Sequence, residues 1–385
     1  MIRIFRRRMI LFMSLLVLCS GCQTDLRELD DRSLILGLAI DKGDVEEYSV
    51  GVQIPIFGGA GSSGGAELTR EFEVKSEEGD SIQDALANIE AITPTVLFLG
   101  QLKVVTISEE VAKENLEPVL DQLSRDSAIA SRVLLLVIKE VDAETFINTE
   151  SPLVNLPSLY LDRFFDADQK IGRSRDTKLF EYLRDSTTVS RAATIPVGTL
   201  TEEGLMIEGM GVFKDHQLVG ELAKSEVSVS QLLKNERLEF MNYSITLEEE
   251  GEEIKVALTR VEFTPKLSFQ KTNPVQFELE LRGSGDVVEL SRPMVEAEIG
   301  FIKKIEEKME EEIKAEVERT ITKMQELNVE PWLLGQRIWV DDYEFYEELG
   351  WHDSGWQNAE FNVSVDFTVQ VTGQKEIFQK KKVGR

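Results

Sequence analysis

Cys22 is the residue best placed to do chemistry, through its thiol. Arg3, Arg6, Arg7 and Arg8 form a cationic start, Met9–Leu18 is apolar apart from Ser14, and the small pair Ser20-Gly21 stands directly before the cysteine. This is the layout of an export signal that ends at a lipid-modified cysteine. Small side chains leave the backbone between Gly21 and Cys22 open to a peptidase, so cleavage is expected there and lipid attachment, palmitate included, at Cys22. The position three before the cysteine, usually Leu in such signals, is Cys19, with Leu18 one step earlier. A transmembrane anchor needs ~20 apolar residues, far more than this run supplies; a secreted, unlipidated chain is the other alternative. Each buried methylene contributes roughly 0.8 kcal/mol and one acyl chain holds only marginally, so two chains are needed for a durable tether.

Other candidate chemistry dissolves on inspection. Gly59-x-Gly61-x-x-Gly64 has the spacing of a dinucleotide fingerprint and Gly61-x-Ser63-x-Gly65 that of a nucleophile elbow. Both motifs require a tight strand-turn-helix, whereas this loop leads into the strand-like stretch Leu68–Val74. His216 and His352 are too few and too isolated for a triad or a zinc site, and His216 reads as a hairpin-turn residue. Asp166-x-Asp168 hints at calcium, but Ile171 stands where an EF-hand loop needs glycine. No catalytic residue, metal ligand or cofactor is therefore expected, and a binding or assembly role is the default over an enzyme. Trp332, Trp339, Trp351 and Trp356, with Tyr343, Phe345 and Tyr346, could fill a core, anchor a protein interface or sit at a lipid surface.

Charge narrows the partners. Residues 1–21 hold four of the 43 basic residues and none of the 70 acidic ones, which leaves 39 against 70 and a net charge of −31. Nucleic acid binding needs clustered positive charge, and anionic lipid would not attract such a body. A covalent anchor is the remaining route to a membrane. Beyond Cys19 and Cys22 there is no cysteine, so stability must come from burial rather than disulfides.

The elements that must position everything else are legible as patterns. Leu34–Ile40 and the alternating Tyr48–Ile56 read as a hairpin around Asp41–Asp44. Asp80 or Ser81 caps a helix with Ile82, Ala85, Leu86 and Ile89 on one side. Leu102–Ile107 is a strand, and Ser108 starts a helix that Pro118 should kink or restart. Arg132–Lys139 reads as a central strand, followed by a short helix after Asp142 and weakly periodic helices over 151–195. Met206–Phe213 and Leu218–Leu222 form a hairpin, and Met241–Leu247, Ile254–Phe263 and Val275–Leu281 three alternating strands. A stripe from Val295 through Ile305, Ile313 and Ile321 to Leu327 steps by three or four, predicting one helix over about 293–327. It is expected to lie across its own sheet, with a coiled-coil dimer as the alternative. Phe361–Val371 alternates strictly and is the last strand.

The expected fold class is α+β, multi-domain, with mixed or antiparallel sheets, helices packed on one side, and the long helix across the C-terminal sheet. The expected division is a signal peptide over 1–21, an N-terminal α+β domain over 22–195 whose segment 151–195 is a helical connector, a C-terminal α+β domain over 196–373, and a basic tail over 374–385.

These segments, in this order, resemble the Ger(x)C family, the C-subunit lipoproteins of spore germination. The likeness rests on Leu26–Lys42, on Phe98–Leu123 with Arg125-Asp126, on Gly209–Leu222, and on the closing Trp-rich stretch with its Phe361–Gly373 strand. Members often carry Trp-Asp after the cysteine and Gly-His near residue 100, where this chain has Gln23-Thr24-Asp25 and Gly100-Gln101; Glu330 and Trp332 replace the usual Asp and Phe. The resemblance implies a non-enzymatic subunit of a nutrient germinant receptor, lipid-anchored on the extracytoplasmic face of the spore inner membrane. It implies two kinds of partner, a transporter-like membrane subunit and a second membrane subunit with soluble domains. A solute-binding lipoprotein serving a transporter is the alternative, and it would need two α/β lobes around a polar cleft.

Overall fold

The computed structural model describes residues 31–56, 72–150, 155–166, 174–249, 251–291 and 299–371. Its largest feature is an eight-stranded mixed sheet. The expected first hairpin is β2 (Gly37–Lys42) and β3 (Tyr48–Pro55), in a register that sets Ile40 opposite Val50. A short strand β1 (Arg32–Leu34) precedes it and pairs with β5 (Val96–Phe98) in a separate two-stranded sheet. The β2–β3 turn is held from outside: Glu78, on β4 (Phe72–Gly79), accepts the amides of Asp44, Val45 and Glu46 at 3.0 Å each. Those three bonds hold the Glu78 carboxyl below its ordinary range.

Helix α1 (Ile82–Ile92) begins as its sequence dictates, with the Ser81 hydroxyl accepting from the amide of Asp84 and Ile82, Ala85, Leu86 and Ile89 buried. After β6 (Val104–Ser108) the chain forms α2 (Glu109–Glu114) and then α3 (Glu117–Arg125). Pro118 sits in the first turn of α3, where its missing N–H costs no helical bond, so it restarts the helix rather than kinking it. Strand β7 (Leu134–Ile138) is buried at every position and has β6 and β8 (Ala192–Thr201) on either side, both parallel to it. A strand buried on both faces reads as a continuous apolar run, as Leu134–Ile138 does.

Between β7 and β8 lie α4 (Ala143–Asn148), α5 (Pro157–Asp166) and α6 (Leu179–Ser186). The sheet continues through β9 (Gly204–Lys214) and β10 (Gln217–Leu222), giving the order β10-β9-β8-β7-β6-β2-β3-β4. Asp215 and His216 both have positive φ, 46° and 66°, the backbone of a two-residue hairpin turn, where a turn was expected. The expected division at 195/196 falls inside β8, and the β9–β10 hairpin, expected with the C-terminal part, is hydrogen-bonded into this first sheet. One face of the sheet carries α1, α2, α3 and α6, and the other carries α4 and α5. The one-sided cover expected from the sequence therefore belongs to the second sheet alone.

That second sheet follows α7 (Lys224–Leu233) and runs β11 (Leu238–Glu249), β12 (Glu252–Gln270), β13 (Gln276–Leu290) and β14 (Glu360–Val371) in order. Helix α8 is described over Ile299–Glu326, about 42 Å at 1.5 Å per residue. Its stripe of Phe301, Ile305, Met309, Ile313, Val317, Ile321 and Met324 is buried against the sheet, so the coiled-coil alternative is set aside. The stretch 293–298 lies outside the described residues. Strand β14 runs parallel to β13, because the long connection through α8 carries the chain back to the same end of the sheet. Its outer edge is covered by the helix itself: Glu310 accepts the amide of Phe367 at 3.0 Å and Glu306 that of Val369 at 2.9 Å. Carboxylates placed there occupy a strand edge that would otherwise invite pairing with another chain.

Candidate functional site

Gly21 and Cys22 lie outside the described residues, as do the glycine loop 59–65, Asp168 with Ile171, and the tail 374–385. Among the described residues no helix is long and apolar enough to cross a membrane, and no group of three or more His, Cys, Asp or Glu is gathered to hold a metal ion. His216 and His352 serve local structure. The His216 ring lies 5.9 Å from that of Tyr182, and its carbonyl accepts the amide of Leu116 at the start of α3. His352 Nε2 is 3.1 Å from the Tyr346 hydroxyl, and partial burial pulls the ring below its ordinary pKa.

The tryptophan cluster divides. Trp332, Trp351 and Trp356 are buried, packed ring against ring at 5.8 and 5.9 Å. Trp339 stays 40% exposed, on α9 (Leu334–Asp341), and meets the exposed Tyr343 at the start of α10 (Tyr343–Leu349) edge-on at 6.3 Å. Three of the four thus build core, and one is left on the surface.

Glu330 and Trp332 are where the two sheets are joined. The Glu330 carboxylate is buried and accepts four bonds: from the Ser190 hydroxyl at 2.6 Å, from the amides of Trp332 at 2.7 Å and Gly335 at 3.0 Å, and from the amide of Leu334. Burial pushes its pKa up and these donors oppose the shift. Ser190 precedes β8, so one carboxylate ties the first sheet to the start of α9. Trp332 donates its indole N–H to Ser230 of α7 at 2.9 Å. Lys214 of β9 donates to the carbonyl of Asn328, and the amide of Val189 to Gln336. The apolar core is continuous here too, since Met210, Val212 and Leu222 of the first sheet pack with the second.

Beside this joint lies a cleft of about 870 Å³. Its walls come from the residues before and within α6, the segment after α7, the ends of β12 and β13, and α9. Arg175 pairs with Glu236, and Arg184 pairs with Asp185 at 2.7 Å. Lys234 reaches only to 3.8 Å from Asp185. Arg337 forms no ion pair among the described residues and donates to the carbonyl of Lys234 at 2.6 Å. Burial lowers the pKa of both Lys234 and Arg337. Sequence reading missed this cleft, because its charges lie up to about 160 positions apart and only the joint brings them together.

Residues 25–200 match the spore germination protein N-terminal domain, and residues 208–373 match the spore germination B3/GerAC-like C-terminal domain. The chain belongs to the Ger(x)C family. The break between the two Ger(x)C matches, 201–207, covers the β8–β9 turn, within the first sheet rather than between the sheets. YfkR of Bacillus subtilis is 22% identical over 82% of this chain and 83% of its own. Spore germination protein KC of the same organism is 28% identical over 49% of this chain and 47% of its own, and GerQC of Bacillus cereus 22% over 59% and 61%. The crystal structure of the GerBC protein superposes with a TM-score of 0.50 at 15% identity, covering 90% of this chain and 99% of that one. That likeness establishes the shared α+β fold.

Proposed function

We propose that this protein is a lipid-anchored, non-catalytic C subunit of a nutrient germinant receptor, held at the extracytoplasmic face of the spore inner membrane. The observation that carries the reading is positional. The family match begins at residue 25, three residues after the cysteine that ends the signal-like segment, and runs with one short break to residue 373. The folded body would thus hang directly from acylated Cys22. Its partners would be a transporter-like membrane subunit and a second membrane subunit, as in the receptor the family is named for. Confinement beside them raises its effective concentration, so modest interfaces suffice.

Cys22→Ala separates this reading from its rivals. The variant should lose labelling by a palmitate analogue, leave the membrane fraction, and slow the nutrient response of spores. Normal fractionation together with a normal response would overturn both anchor and role.

A further inference from the structure

Lys234 is a largely buried cation held by one loose ion pair. Its side chain is 17% exposed, its ammonium makes no hydrogen bond among the described residues, and it stands 3.8 Å from Asp185 Oδ2, the oxygen opposite the one that Arg184 holds. A largely buried cation in that condition is costly unless an anion completes it. Arg337 presents its guanidinium against the backbone of Lys234 itself, with one donor used and no ion pair of its own among the described residues. Both cations line the same cleft, whose reachable apolar wall is Leu267, Phe269, Leu333 and Val340. Its volume of about 870 Å³ falls within the range of small-molecule sites.

We infer that the cleft binds a small organic monocarboxylate, its carboxylate received by Lys234 and Arg337 and its apolar body laid against Phe269 and Leu333. The lining as a whole balances five cations against five carboxylates, so the preference is local to these two cations and favours a monoanion. Asp185 and Glu236 already stand beside these cations, so a dianion such as phosphate would meet like charge. Because the walls come from the α6 region of the first sheet, from β12 of the second and from α9 between them, a bound molecule would stabilise the joint by mass action.

The test uses the full-length chain in detergent micelles, with acetate, isovalerate and phenylacetate as probes, their amides and inorganic phosphate as controls, and calorimetric titration and thermal unfolding as readouts. Isovalerate or phenylacetate should bind saturably and raise the unfolding midpoint, while the amides and phosphate should not. Arg337→Gln should weaken binding about tenfold, the equivalent of one charge-assisted hydrogen bond. Lys234→Met should abolish binding while leaving the unliganded midpoint unchanged or higher, since it removes an underpaired buried charge. Lys234→Arg should keep binding. No saturable response to any of the three acids, an equal response to the amides, a stronger response to phosphate, or unchanged binding in both Lys234→Met and Arg337→Gln would each overturn the assignment.

Discussion

The two sheets of this protein solve the burial problem in opposite ways. The eight-stranded sheet is sandwiched between helices, so its central strands β6, β7 and β2 are buried on both faces and run parallel. The four-stranded sheet gives one face to α8 and leaves the other to water, where Ser364, Asp366 and Thr368 stand exposed beside the Lys266–Glu280 pair. The first arrangement makes a unit that can bury ligands or contacts only at its rims. The second leaves a broad polar face and builds its core on the other, from α8 together with α7, α9 and the buried tryptophans. They are fastened by a small set of groups, with Glu330 and Trp332 at the centre, and that joint is where the comparison can be broken most sharply.

Trp332→Ala should have the largest effect. It removes a fully buried indole from between the sheets and orphans the Ser230 hydroxyl, a loss of about 3–5 kcal/mol. Calorimetry should show one transition in the parent chain and two in the variant, the four-stranded unit melting first. A single lowered transition would mean that the continuous core around Met210, Val212 and Leu222 couples the sheets without it.

What could be read from residues follows the same contrast. Alternation in Phe361–Val371 and the three-to-four step of the long helix survive into the structure because each element has one buried face and one wet one. The continuous run of β7 was legible for the opposite reason. Strand β8 was not, since Ala192–Thr201 follows weakly patterned helices and includes Pro196, which argues against a strand inside a sheet. The structure accommodates that proline at a register shift between Pro196 and Gly198. Strand β12 extends to Gln270, beyond the alternation of Ile254–Phe263, because pairing with β13 continues over its last residues, where Leu267 and Phe269 are only partly buried. Glu330 was visible only as a substitution for aspartate; its role depends on Ser190, 140 positions away.

Carboxylates that accept backbone amides offer a second test of the contrast. In the second sheet Glu306 and Glu310 do this at a strand edge; in the first, Asp41 does it buried, accepting from Ala143 at 2.7 Å and Glu144 at 2.9 Å to cap α4 from outside. Burial raises the Asp41 pKa from 3.8 to about 6, against the pull of those two amides. The folded state therefore holds this proton more tightly than the unfolded chain. The sign follows: the stability linked to Asp41 is complete below about pH 4 and is lost as pH rises to about 6. Asp41→Asn removes the titration, so the stability difference between parent and variant should shrink by up to about 3 kcal/mol across that interval. Parallel pH profiles from urea titrations would show that Asp41 is not the buried acid described here.

The smallest expected effect sharpens the contrast within one strand. Val363 and Ser364 are neighbours on β14, paired with Leu279 and Glu280, yet one faces α8 and the other water. Val363→Ala should cost about 1.5–3 kcal/mol, the loss of a buried branched side chain. Ser364→Ala should move stability by no more than about 0.5 kcal/mol. If Ser364→Ala nonetheless slowed germination at unchanged stability, the polar face of the second sheet would be a contact surface for a receptor partner. Equal germination would place the contacts elsewhere, with the exposed Trp339 and Tyr343 next in line because large aromatic groups left in water at a joint are the side chains an interface would recruit.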